Sequence, residues 1–150
     1  MQRRKFLSLS ALAALAAIAP IQANAQDYRA TKPSVWTAHT VDDSIKELYG
    51  TAVTIEKGVH LTAPDVASNG GAIPVEIQSD IDAKSVAVFQ DANPEAAVIV
   101  YTVQEDGIVD YSLKMKMKAS GTISVILEGR DGKLYSARKT LDVALGGCDP

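Results

Sequence analysis

Cysteine is nearly absent: the 150 residues contain one, Cys148, together with two histidines, His39 and His60. A single Cys excludes an internal disulfide framework and a Cys-rich zinc site. Two histidines argue against a catalytic metal centre, which needs three or more convergent ligands. Basic charge is also short. A formal net charge of −3 and a pI near 5.3 argue against nucleic acid as a partner, because phosphate binding needs a basic face. A long apolar run is missing too: the stretch Leu7 to Ile21 has fifteen residues, short of the roughly 20 that span a bilayer. The length suits one compact domain.

The first 25 residues read as an export signal and are set aside from the fold. Arg3, Arg4 and Lys5 form a positive start, an alanine-rich apolar stretch follows, and Ala23-Asn24-Ala25 has the A-x-A form of a cleavage site. The string QRRKFLS, Gln2 to Ser8, resembles a twin-arginine export signal, so the expected location is a bacterial periplasm, reached in a folded state. Removing residues 1–25 takes three of the 15 Lys and Arg and none of the 18 Asp and Glu, leaving −6 on the remainder. An acidic surface of that size keeps a small domain soluble.

Residues 26–145 read as one all-β domain with one short N-terminal helix. Asp27 to Thr40 shows no period and is expected to lie extended across the surface. Val41, Ile45, Leu48 and Tyr49 recur at helical spacing, with Thr40 or Asp42 as N-cap and Gly50 as the stop. Strand patterns follow: Val53 and Ile55; Val59 and Leu61; Ile73, Val75 and Ile77, with Pro74 marking an edge or a strand start. Val86 and Val88 come next, then Val98 to Val103. Val109, Tyr111, Leu113, Met115 and Met117 alternate strictly with polar residues, which gives one buried and one wet face. Met115 and Met117 fall on the apolar side and read as core, not as metal ligands. Ile123, Val125 and Leu127 repeat the pattern, and a last strand runs from about Leu134 to Leu145 with Tyr135, Ala137, Leu141, Val143 and Leu145 on one face. Turn signals such as Ser68-Asn69-Gly70-Gly71, Ala92-Asn93-Pro94 and Arg130-Asp131-Gly132 separate the runs. About seven short strands at intervals of about ten residues predict an immunoglobulin-like β-sandwich, with a small closed barrel as the alternative.

Residues 146–150, Gly-Gly-Cys-Asp-Pro, break the pattern. Gly146 and Gly147 permit almost any backbone angle, and the five steps from Val143 to Cys148 reach about 17 Å at full extension. A thiol on such a tether can enter the pocket of another protein. An intermolecular disulfide is a competing use in an oxidising compartment, and would make the protein a non-catalytic binding or adhesion module dimerised through Cys148. A self-contained thiol enzyme would need His39 or His60 as base. Neither lies on the tail, so the reading is a carrier whose partners supply the catalytic groups. Leu145-Gly146-Gly147-Cys148 has the form of a lipobox but lies far from the export segment, and a C-a-a-X box would need three residues after the Cys.

The chain resembles the SoxY family, the substrate-bearing subunit of the SoxYZ carrier in bacterial thiosulfate oxidation. The resemblance rests on LTAPDVASNGGAIPVEI, Leu61 to Ile77, on DGKLY, Asp131 to Tyr135, and on the strand leading to Gly146-Gly147-Cys148, and spans roughly residues 40–148. It implies that Cys148 is the covalent attachment site and that Gly146 and Gly147 form a swinging arm. It also implies a SoxZ-like subunit as heterodimer partner and three enzymes acting on the cargo: a haem-containing sulfur transferase, a sulfate-releasing hydrolase and a sulfur dehydrogenase. No cofactor, metal, membrane or nucleic acid is implied for the chain itself, and no turnover of its own. The family's arm ordinarily ends Gly-Gly-Cys-Gly-Gly, whereas Asp149-Pro150 follow the cysteine here. Negative charge beside the sulfur disfavours the thiolate.

Overall fold

The computed structural model describes residues 25–144. The chain begins with a short helix α1 (Tyr28–Thr31), a 3-10 turn (Pro33–Trp36) and the helix α2 (Val41–Tyr49). Eight strands follow: β1 (His60–Thr62), β2 (Val66–Ala67), β3 (Ile73–Ser79), β4 (Ala83–Gln90), β5 (Ala97–Thr102), β6 (Val109–Met115), β7 (Gly121–Gly129) and β8 (Leu134–Val143). They form two sheets, one of three strands in the order β1-β3-β6 and one of five in the order β2-β8-β7-β4-β5. All pairings are antiparallel except β2 with β8. The result is the predicted immunoglobulin-like sandwich, with eight strands where about seven were expected.

Two cores explain the sequence pattern. Between the sheets, Ile73, Val75, Ile77, Val86, Val88, Val125, Leu127 and both Met115 and Met117 are buried together. On the outer face of the larger sheet, Val35, Ile45 and Leu48 from the helical segment cover Ala87, Phe89, Ile126 and Leu134. Strands β4 and β7 are therefore apolar on both faces, whereas β3 alternates buried and exposed residues without a break. Helix α2 starts and stops as predicted. The Thr40 hydroxyl accepts from the Asp43 N–H at 3.1 Å, and Gly50 ends it at φ +81°, in the left-handed region glycine favours.

Two expectations give way. Asp27 to Thr40 is not extended: the Asp27 carboxylate accepts from the N–H groups of Arg29 and Ala30 at 3.0 and 3.1 Å, and Pro33 sits in the first turn of the 3-10 segment. Elements of four residues are too short to show a period. Val53 and Ile55 form no strand; Val53 is 80% exposed and Ile55 makes an isolated bridge to Tyr135. Pro74 falls where expected, at the start of β3, beyond the end of β1, whose pairing stops at Glu76. Leu145, the predicted end of the last strand, lies outside the described residues, as does nearly all of the predicted export signal.

Candidate functional site

The residues singled out for the carrier role, Gly146, Gly147 and Cys148, lie outside the described residues. The structure fixes instead the root from which they depart. Strand β8 is paired along its length with β7, and at its end it gains a second neighbour on the other side. Val66 and Ala67 of β2 pair in parallel with Asp142 and Val143. The Asp142 N–H donates to the Asp65 carbonyl and the Ala144 N–H to the Ala67 carbonyl, both at 2.9 Å. The Val143 N–H donates to the Ser120 hydroxyl at 2.9 Å. Every main-chain N–H from Asp142 to Ala144 is thus held. From Ala144 to Cys148 there are four steps, about 14 Å at full extension.

The surroundings of the root are equally constrained. The Asn69 side chain accepts from the Gly71 N–H at 2.8 Å, and the Gly70 carbonyl accepts from the Met117 N–H at 2.9 Å. Asn93 clamps the end of β6 by donating to the Lys116 carbonyl and accepting from the Lys118 N–H, at 2.8 and 2.9 Å. A Cβ at Gly121 would stand 2.4 Å from the Asp91 carboxylate, which itself accepts from the Thr122 N–H at 2.7 Å. Asp65, beside the root, is hydrogen-bonded and paired with Lys139, which holds its carboxyl below the ordinary value. Both partners are at the surface, so the pair adds little to stability. The segment Leu61 to Ile77, on which the family resemblance rests, turns out to contain β2 and the Asn69 turn, and so builds the bed of the root.

The two histidines lie on different elements, and His39 lines a surface pocket with Asp91 and Thr122. His39 is exposed before α2, its Nδ1 2.9 Å from the Pro94 carbonyl oxygen, and His60 is exposed on β1. Among the described residues no hydrogen bond joins either to a carboxylate, the orienting contact a catalytic base needs. Among the described residues no three His, Cys, Asp or Glu side chains converge on a metal position, and no helix is long and apolar enough to cross a membrane. Sequence reasoning missed the contributions of Ala67, Ser120 and Asp65, because Ala67 and Asp65 act through main-chain carbonyls and the Ser120 hydroxyl meets a main-chain N–H, contacts that leave no residue pattern.

Comparison with known proteins bears on this geometry. The sequence matches the family described as sulfur oxidation protein SoxY over residues 45–148. Curated protein sequences give no match. Among solved structures, the chain is similar to the sulfur carrier protein SoxY from Chlorobium limicola f. thiosulfatophilum, with 27% identity and a TM-score of 0.63, covering 70% of this chain and 96% of that one. It is also similar to a superoxide reductase (neelaredoxin) from Ignicoccus hospitalis, with 16% identity, a TM-score of 0.53 and coverage of 59% of this chain and 81% of that one. The second likeness is one of fold alone.

Proposed function

Because the chain belongs to the SoxY family, we propose that it is a periplasmic sulfur carrier that holds intermediates of thiosulfate oxidation on Cys148 and presents them to partner enzymes. The observation that supports this most directly is the root. Its lone thiol lies four residues past a main chain bonded as far as Ala144, so cargo on Cys148 would move relative to a fixed body. Gly146 and Gly147 serve as the arm, and a SoxZ-like subunit completes the carrier.

The chemistry proposed for Cys148 conserves atoms and charge. The thiol and thiosulfate join through a new S–S bond, giving a cysteine S-thiosulfonate, one proton and two electrons, which a haem partner accepts. Water then cleaves the terminal S–S bond in a hydrolase, releasing sulfate and a proton and leaving a persulfide for a dehydrogenase to oxidise further. The chain supplies attachment and reach. It needs no base of its own, because the partner enzymes supply the catalytic groups.

Intact mass spectrometry of the protein from cells given thiosulfate tests the proposal. The expected result is a sulfur-containing adduct on Cys148 that is lost in Cys148→Ser. Unmodified monomer with disulfide-linked dimer as the sole other species would overturn it in favour of a dimerised binding module.

A further inference from the structure

Each sheet of the sandwich has two open edges, and three of the four are protected. Strand β1 has three residues and β2 has two, too few to template another chain. Strand β6 carries the exposed charges Asp110 and Lys114. Strand β5 differs: its six residues, Ala-Val-Ile-Val-Tyr-Thr, bear no charge and no proline, and every one is half-buried. Long uncharged edges invite pairing and are normally blunted.

The phase of the ladder shows which groups are free. The Val103 N–H donates to the Lys84 carbonyl at 2.8 Å, and Val86 lies opposite Tyr101 and Val88 opposite Ile99. Antiparallel bonding alternates, so the N–H and C=O of Val100 and Thr102 point away from β4. Among the described residues no other segment bonds them. A register shift makes Val98 the extra residue in the pairing with β4, so the straight part of the edge is Ile99 to Thr102.

The edge is also floored and walled. Tyr101 stacks on Tyr111 of β6, with ring centroids 4.8 Å apart and planes 10° from parallel. On the other face a groove of about 270 Å³ runs between Val98 to Val100 and the helical segment, where Tyr28 and Trp36 supply aromatic surface. Arg29 lies 4.0 Å over the Trp36 ring.

We infer that the outer edge of β5 docks a strand of the partner subunit, one uncharged in its middle and flanked by Lys or Arg, which extends the five-stranded sheet across the heterodimer. The identity of the partner rests on the carrier reading; the edge does not. Charge favours a different chain over a second copy. Exposed Glu95 precedes β5 and exposed Glu105 and Asp106 follow it. Of the cations nearby, Arg130 is already paired with Asp82 at 2.9 Å, Arg29 lies over the Trp36 ring, and the exposed Lys84 on β4, bonded through its carbonyl to Val103, is one cation against those three acids. Two copies paired antiparallel about Val100 would set Glu95 against Glu105 twice, a repulsion that costs affinity. The net charge of −6 per copy opposes self-association further.

The test uses residues 26–150 co-expressed with a SoxZ-family subunit from the same organism. Hydrogen exchange of the unaltered complex should show the amides of Val100 and Thr102 slowed at least about tenfold relative to the free chain, as new main-chain bonds require. Val100→Pro removes an outward N–H and leaves the ladder to β4 intact, the position at which an edge strand tolerates proline. It should leave the free chain's circular dichroism unchanged and weaken binding at least about tenfold, since the facing carbonyl loses its donor. Unchanged exchange at Val100 and Thr102 in a stable complex overturns the proposal even if the variant fails to fold. A folded Val100→Pro chain with undiminished affinity overturns it as well. Protection of these amides in the chain alone, rising with its concentration, overturns the choice of partner in favour of a second copy. A Cys148 adduct present alongside any of these failures leaves the carrier reading standing, and its absence removes that reading without touching the edge.

Discussion

Tyr49 closes helix α2 and reaches into the larger sheet, where its hydroxyl lies 2.9 Å from the Ser85 Oγ, which in turn donates to the Glu128 carboxylate at 3.3 Å. Burial is the main cause that pushes the Tyr49 phenol above its ordinary value of 10, with the nearby Glu128 charge adding to it and the Ser85 bond working the other way. Above about pH 10 the unfolded chain releases this proton while the native chain keeps it, so stability is full below that pH and falls as pH rises. Urea denaturation at pH 7 and at pH 10.5 should show the decline, and Tyr49→Phe should reduce it. Tyr101 and Tyr135, also raised, keep part of the slope. At pH 7 the same substitution should cost about 1 kcal/mol, the net value of one internal hydrogen bond. Two glycines separate conformational from steric need. At Gly132, φ is +80° and a Cβ would meet nothing within 4 Å, so Gly132→Ala should cost about 1 kcal/mol from backbone strain alone. Gly121→Ala drives a Cβ into the Asp91 carboxylate and should cost more, by displacing the acceptor that holds the Thr122 N–H. Denaturation midpoints of the two variants test that order.

Strand β8 is the element on which the carrier proposal depends. Ser120→Ala removes the acceptor for the Val143 N–H. Exchange of the Val143 amide should speed up while the global unfolding midpoint moves little, because the antiparallel ladder with β7 remains. Replacing Gly146 and Gly147 together with valine should leave the fold intact and slow partner-enzyme turnover of Cys148-bound cargo, since β-branched residues stiffen the arm. Undiminished turnover on that variant would sink the arm proposal. The elements differ in how plainly the sequence announces them. Helix α2 carries a cap, a period and a terminal glycine, and β3 and β6 alternate because one face of each is wet. Strand β2 carries nothing of the kind: its two residues are specified by Asp142 and Val143, 76 positions away. Val53 and Ile55 alternate as a strand would, yet no neighbour pairs with them as one. Position along the chain was enough to single out Cys148, whereas its root had to be read from main-chain contacts.

At the scale of the molecule, acidic charge and one unguarded edge act together. Glu95, Glu105 and Asp106 frame β5 in a chain whose residues 26–150 carry −6, so association with a basic-flanked partner should be electrostatically steered. Stopped-flow measurement from low to physiological salt should show the on-rate falling steeply and the off-rate changing little. The two-sided grip on the last strand has another consequence. Because Ala144 is bonded to Ala67 and Val143 to Ser120, paying out more chain would cost those bonds, and the four steps from Ala144 to Cys148 reach at most about 14 Å. On the carrier proposal, each client enzyme would then place its reacting atoms no deeper than that below the rim on which the carrier rests. On that proposal a deeper well would be served by peeling Ala144 from Ala67, which makes the last described residue of the sandwich a depth gauge for the partner enzymes.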